Sequence, residues 1–118
     1  KGGAVWGMGM AALERHVYDP HNGLPAHVDF HQCKIPTYMD VPLTTRSDAV
    51  DLPDPDNPFG ARGIGEPAMG CSVAALTSAI SDALDGHNFG RTPVSQDMIL
   101  NYLADGSQSF KPLQTNNF

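Results

Sequence analysis

Residues 60–70 run Gly-Ala-Arg-Gly-Ile-Gly-Glu-Pro-Ala-Met-Gly, and no other stretch limits the fold as tightly. Glycines spaced this closely let the backbone approach a neighbour that side chains would hold off. Glu66 and Pro67 close the run, and Met69, Val73, Leu76, Ile80 and Leu84 recur at helical spacing behind them. Proline suits the first position of a helix, where its missing N–H has no partner to lose. The sequence therefore predicts a helix opening at Pro67 with Glu66 as the cap before it. A pliant loop thus brings one carboxylate to a helix N terminus. A glutamate held at the mouth of a glycine-lined cavity suits a general base beside a bound cofactor.

Upstream, Trp6, Met10, Leu13 and Val17 share one helical face while Glu14 and Arg15 fall off it, which predicts a first helix. Gly3, Gly7 and Gly9 each weaken that helix by about 1 kcal/mol relative to alanine. It is expected only against a large partner packed closely on its smooth side, and that partner is expected outside this chain. Asp19-Pro-His-Asn-Gly reads as a turn. Ala26 to Cys33 then reads as part of a hairpin, or as a single strand in a sheet completed elsewhere. Pro36 and Pro42 end regular pairing. From Asp48 to Phe59, four aspartates and three prolines predict an extended, exposed loop.

Asp85-Gly86 should stop the helix that begins at Pro67. A shorter helix is expected from Ser95 to Ala104, with Met98, Ile99, Tyr102 and Leu103 inward and Asp105-Gly106 as its end. The pattern describes an α+β partial domain with a glycine-rich helix, a strand or hairpin, a long loop and two C-terminal helices. Other segments or chains are expected to complete it. Its parts are 1–47, the glycine-rich helix and strand region; 48–66, the loop and glycine segment; 67–106, the helical end; and 107–118, a tail.

Twelve glycines and ten prolines in 118 residues enforce long irregular stretches, although 41% apolar residues would permit a core. The chain opens on Lys1-Gly-Gly with neither methionine nor leader, which reads as an internal or C-terminal piece of a larger polypeptide. A formal net charge of −6 argues against nucleic acid, because seven Lys and Arg do not supply the basic surface that phosphates require. No apolar run is long enough to span a membrane. Cys33 and Cys71 lack paired metal spacing and favour reduced thiols in a cytoplasmic setting, with the periplasm as the alternative.

Each candidate site has a plainer competitor. For Glu66 it is a helix-capping acid attracted to the amide dipole. Gly63-Ile64-Gly65-Glu66-Pro67-Ala68 also matches G-x-G-x-x-A, the dinucleotide fingerprint. That fingerprint requires a strand directly before it and an acid about twenty residues later at the end of a second strand. Here a proline-rich loop precedes it, Asp85 sits at a helix end, and Glu66 would oppose the phosphates.

His27, Asp29, His31 and Cys33 alternate along the expected strand. Same-face neighbours on a strand stand about 6.6 Å apart while zinc ligands converge to about 2 Å, so a polar strand face is the better reading. His16, His21 and His87 read as solvated. Cys71, one turn into the helix, could be an activated nucleophile, but packing in the core or beside a cofactor is preferred. Arg62 reads equally as a surface side chain or as a holder of phosphate or carboxylate. Met8, Met10, Met69 and Met98 fall on apolar stripes and read as core.

The run GARGIGEPAMG, with Ser72-Val-Ala-Ala-Leu-Thr-Ser-Ala-Ile-Ser-Asp-Ala-Leu84 shortly after it, resembles the C-terminal end of the molybdenum-binding subunit of the molybdenum hydroxylases. This is the xanthine dehydrogenase and aldehyde oxidoreductase family. Lys1-Gly-Gly-Ala-Val-Trp-Gly-Met-Gly-Met is similar to the family's glycine-rich helix, and Lys34-Ile-Pro-Thr-Tyr-Met-Asp-Val-Pro42 to its K-I-P-T-x-x-D-x-P segment. Thr92-Pro93-Val94 and the proline-rich approach to Gly60 also fit.

The resemblance implies that Glu66 is the general base, taking a proton from a hydroxyl on molybdenum while hydride leaves the substrate. It implies that Ile64 and Gly65 lie against a molybdopterin-type cofactor, the cytosine dinucleotide form being one variant. No metal ligand is expected from this chain. The implied reaction is oxidative hydroxylation of an aldehyde or N-heteroaromatic with water as oxygen source. Electrons would leave through 2Fe-2S clusters, with or without FAD, on partner domains or subunits. The expected partners are the rest of the large subunit, an iron–sulfur subunit, in some members a flavin subunit, and a small-molecule substrate.

Two departures limit the carry-over. The family's glutamine just before the glycine-rich helix falls ahead of Lys1, and the segments that hold the pterin tail are not in this chain. The chain by itself is not expected to be active. The alternative is a catalytically silent structural or interaction module, or a proteolytic fragment of the same fold.

Overall fold

Glycine decides where the helices of this chain meet. The computed structural model describes residues 1–105. Helix α1 spans Gly2–Ala12, α2 spans Pro67–Ala83 and α3 spans Gln96–Asp105, with a single 3-10 turn at Tyr38–Asp40.

α1 forms despite its glycines because α2 lies against them. A Cβ on Gly3 would stand 3.0 Å from the Ala68 Cβ, and one on Gly7 would stand 2.6 Å from the Ser72 Cβ. The expectation that this partner lies outside the chain is therefore corrected: it is α2 itself. The expected inward face is corrected as well. Gly7, Gly9 and Ala11 are buried, whereas Trp6 is 47% exposed and Met10 is exposed beside it. The helix also stops earlier than its apolar pattern, at Ala12, because the amides of Leu13 and Glu14 both donate to the Gly9 carbonyl. Val17 consequently lies beyond it.

α2 opens at Pro67 and carries Met69, Val73, Leu76 and Ile80 as a half-buried stripe ending in buried Leu84, as the spacing predicts. Asp85 and Gly86 take φ values of 55° and 86°, and the Gly86 amide donates to the Ser81 carbonyl at 2.8 Å. This left-handed exit ends the helix at the expected place. The core follows directly: Leu84, Phe89, Val94 and Met98, with Ile80, Ile99 and Tyr102 against it. Leu103, expected inward on α3, is exposed instead. Gly106 and the 107–118 tail lie outside the described residues.

The expected strand does not form. Between Ala26 and Cys33 the carboxylate of Asp29 accepts the amides of His31 at 2.9 Å and Gln32 at 3.1 Å, and its carbonyl accepts that of Cys33. An aspartate that binds the backbone two and three residues on folds the chain into a turn and removes those amides from any ladder. The hairpin survives only as a closed loop. An isolated antiparallel bridge pairs Tyr18 with Pro25, and the Gly23 amide donates to the Asp19 carbonyl at 2.8 Å. An isolated hairpin is marginal without a third strand or a packed face. Among the described residues the architecture is therefore helical, and the α+β expectation is not met within them.

The loop ahead of α2 is more ordered than its composition suggests. Asp54 donates its amide to the Gly60 carbonyl at 2.9 Å, Gly60 returns to Asn57, and Gly60 takes φ 65° to make the bend. Sixteen large apolar side chains are exposed among the described residues, against five buried apolar ones, so most of the large apolar side chains have no cover within them.

Candidate functional site

Glu66 stands where the sequence places it, as the residue before Pro67 at the start of α2. Its carbonyl accepts the Met69 amide at 2.9 Å and the Gly70 amide at 3.4 Å, which begins the helix. Its carboxylate makes no capping hydrogen bond. Glu66 thus holds the cap position without making the capping hydrogen bond. The side chain is exposed, and the unpaired amides of the first helical turn set a positive partial charge behind it.

The segment that leads to it is open. Ala61 to Glu66 are all exposed, and Ile64 is 84% exposed. Among the described residues, no backbone amide from Ala61 to Glu66 donates to an internal acceptor. Nothing lies within 4 Å of a Cβ placed on Gly63, Gly65 or Gly70. Neither Gly63 nor Gly65 has positive φ. The packing and backbone of the described residues therefore give no reason for glycine at 63 and 65, in contrast to Gly3, Gly7 and Gly60. A flat body carrying polar edges could lie directly on these amides, and a side chain would keep it off.

Arg62 is tied down beside this segment. Its Nε donates to Asp54 Oδ2 at 2.8 Å, so its charge is spent on the loop rather than held out toward a ligand. The Arg62 guanidinium, and then the Asp56 amide, hold the Asp54 carboxyl below its ordinary value of 3.8. Cys71, expected to be packed, is exposed one turn beyond Pro67, and Cys33 is half-buried. No three of His, Cys, Asp or Glu converge on a metal position among the described residues. His27, Asp29, His31 and Cys33 are split between a turn and its flanks. No strand precedes Gly63, so the dinucleotide geometry is not built.

Residues 1–42 match the family model described as the molybdopterin cofactor-binding domain. Over 99 residues the chain is 37% identical to subunit gamma of the 6-hydroxypseudooxynicotine dehydrogenase complex of Paenarthrobacter nicotinovorans. That alignment takes in 83% of this chain and 12% of that protein, so the chain spans a small part of the relative's length.

The chain belongs to the molybdenum hydroxylase family.

In this molybdenum hydroxylase chain the matched segment contains α1 and the K-I-P-T-x-x-D-x-P stretch. The Thr and Asp of that stretch bind one another. The Thr37 amide donates to Asp40 Oδ2 at 2.7 Å and its hydroxyl at 2.8 Å, and this pairing lowers the Asp40 carboxyl below its ordinary range. The motif is thus a local turn lock within the matched segment.

Two clefts lie at the far end of α2 from Glu66. The more enclosed, about 310 Å³, is lined by Thr77, Ser81, His87, Phe89, Arg91 and Val94 among others. His87, read from sequence as solvated, is packed: its ring stacks on Tyr102 at 3.8 Å and meets Phe89 edge-on at 4.7 Å. Tyr102 stands thirteen residues beyond Phe89, so no local spacing in the sequence announces this cluster. The α1–α2 contact was readable only from the glycines, and neither partner announces the other in sequence.

Proposed function

We propose that the chain forms one wall of the molybdenum cofactor site of a larger oxidoreductase and supplies Glu66 as its general base. The observation that carries this reading is a carboxylate without a capping bond at the start of α2, next to backbone amides that none of the described residues covers. Ile64 and Gly65 would hold the cofactor through those amides, because glycine at 63 and 65 admits a close planar neighbour. The bound cofactor supplies the redox chemistry, taking up two electrons from the substrate.

The overall change is R–H plus water to R–OH, two electrons and two protons. Glu66 accepts one of those protons as oxygen is delivered to an electron-poor carbon of an aldehyde or N-heteroaromatic. The position favours this role. A base must stand within hydrogen-bond reach of the proton it takes, and covering the exposed loop with cofactor and protein would keep bulk water from competing there. The relative is a subunit of a dehydrogenase complex, which supports an oxidoreductase with partner chains. On this reading the partners are the rest of the large subunit and an iron–sulfur subunit, with or without a flavin subunit, carrying 2Fe-2S clusters and FAD. The cofactor is molybdopterin in its simple or cytosine dinucleotide form.

Metal analysis of the purified material, run beside a denaturing gel, tests this. Stoichiometric molybdenum in the company of larger polypeptides is expected. A lone, molybdenum-free chain of this size would overturn the proposal in favour of a silent module.

A further inference from the structure

α2 begins immediately after Glu66, so whatever fixes the first turns of α2 fixes where the carboxylate stands. Those turns rest on α1. A Cβ on Gly7 would stand 2.5 Å from the Met69 carbonyl oxygen, 2.6 Å from the Ser72 Cβ and 3.2 Å from the Val73 amide nitrogen. Favourable contact between such atoms begins near about 3.5 Å, so only hydrogen fits at this position. A Cβ on Gly3 would meet the Ala68 Cβ at 3.0 Å, with the next atom at 3.5 Å.

Neither glycine takes positive φ, so backbone conformation does not require them. Gly2, on the same helix, and Gly70, on the facing one, have nothing within 4 Å. Glycine weakens a helix wherever it stands. At 3 and 7, close approach to α2 is what the structure gains from it. The larger side chains Trp6 and Met10 remain partly exposed, whereas Gly7 is buried. The contact also joins two functionally distinct pieces. α1 lies in the segment that matches the cofactor-binding domain, and α2 carries Glu66.

We propose that Gly7, assisted by Gly3, is a positioning residue: the close approach it permits sets the place of Glu66 relative to the cofactor wall. This rests on the reading of Glu66 as base.

The test compares Gly7→Ala, Gly3→Ala, the pair Gly3→Ala with Ala68→Gly, and Gly2→Ala in the assembled enzyme. Glu66→Gln is measured alongside. Each is scored for kcat, KM, molybdenum content and, by crystallography, the position of the Glu66 Cα relative to α1. Gly7→Ala is expected to move Glu66 by several tenths of an ångström or more and to lower kcat on the order of 10²-fold, the loss typical of a misplaced catalytic group. KM and molybdenum content should stay near wild type. Gly3→Ala should do the same more weakly and be restored by Ala68→Gly, while Gly2→Ala should behave as wild type.

If Gly7→Ala does not assemble, the Gly3 and Ala68 pair decides. Gly3→Ala with wild-type kcat and an unmoved Glu66, or no recovery on adding Ala68→Gly, would overturn the inference. Retained turnover in Glu66→Gln would instead remove the base reading, and the displacement of Glu66 would then still report on the packing by itself.

Discussion

The Val94 amide donates to the Ala11 carbonyl oxygen at 2.7 Å, joining the end of α1 to the turn ahead of α3. Both residues are buried. This bond ties the glycine helix to the small core of Leu84, Phe89, Val94 and Met98 at the opposite end of α2 from Glu66. Met98 is 2% exposed and lies among those few partners. Met98→Ala is expected to destabilise the protein by about 2–5 kcal/mol, as deletion of a buried side chain from a packed core does. A urea midpoint measured on the assembled protein checks it. An unchanged midpoint would mean that this cluster is not what holds α3.

The loop before the glycine segment depends on charge. Asp54 is held below its ordinary value of 3.8, first by the Arg62 guanidinium and then by the Asp56 amide. A carboxyl with a depressed folded value stabilises the folded loop at all pH above 3.8, and the contribution is lost as pH falls through the lower folded value. The loop is therefore expected to loosen only in the acid range. A carboxyl-carbon NMR titration should place the Asp54 midpoint under 3.8 and bring it back toward that value in Arg62→Gln. A wild-type midpoint at or above 3.8 would remove the ion pair from the account.

Gly65 separates packing inside the chain from packing against the cofactor. Open space surrounds a Cβ placed there, so Gly65→Val should leave folding stability within about 0.5 kcal/mol of wild type, as at an unencumbered surface position. If the amides of Ile64 and Gly65 lie on the pterin, the same substitution should sharply lower molybdenum and pterin content. Thermal melting and cofactor assay on one preparation distinguish the two. Full cofactor content with a branched side chain at 65 would contradict the proposed wall.

Much of the helical end was legible because local chemistry decides it. Pro67 starts α2, Asp85-Gly86 stops it, and the stripe from Met69 to Leu84 is half-buried and reaches the core at Ile80 and Leu84, as the spacing indicates. Glu66 was legible for the same reason. What failed depends on partners. Trp6 and Met10 read as an inward face, yet the glycine side of α1 is what α2 covers. The alternation from His27 to Cys33 reads as a strand, yet Asp29 captures the neighbouring amides. Arg62 could not be assigned from sequence because its partner Asp54 stands eight residues away across a bend made by Gly60. The sixteen exposed apolar side chains explain the pattern. Periodicity records an apolar face without naming what covers it.

The most direct test of Glu66 is its replacement by glutamine in the assembled enzyme, which keeps size and polarity but cannot take up a proton. Molybdenum and pterin content should equal those of the wild type, while turnover falls by about 10² or more, the scale of general-base catalysis. Turnover retained at full cofactor loading would contradict the role assigned to this carboxylate.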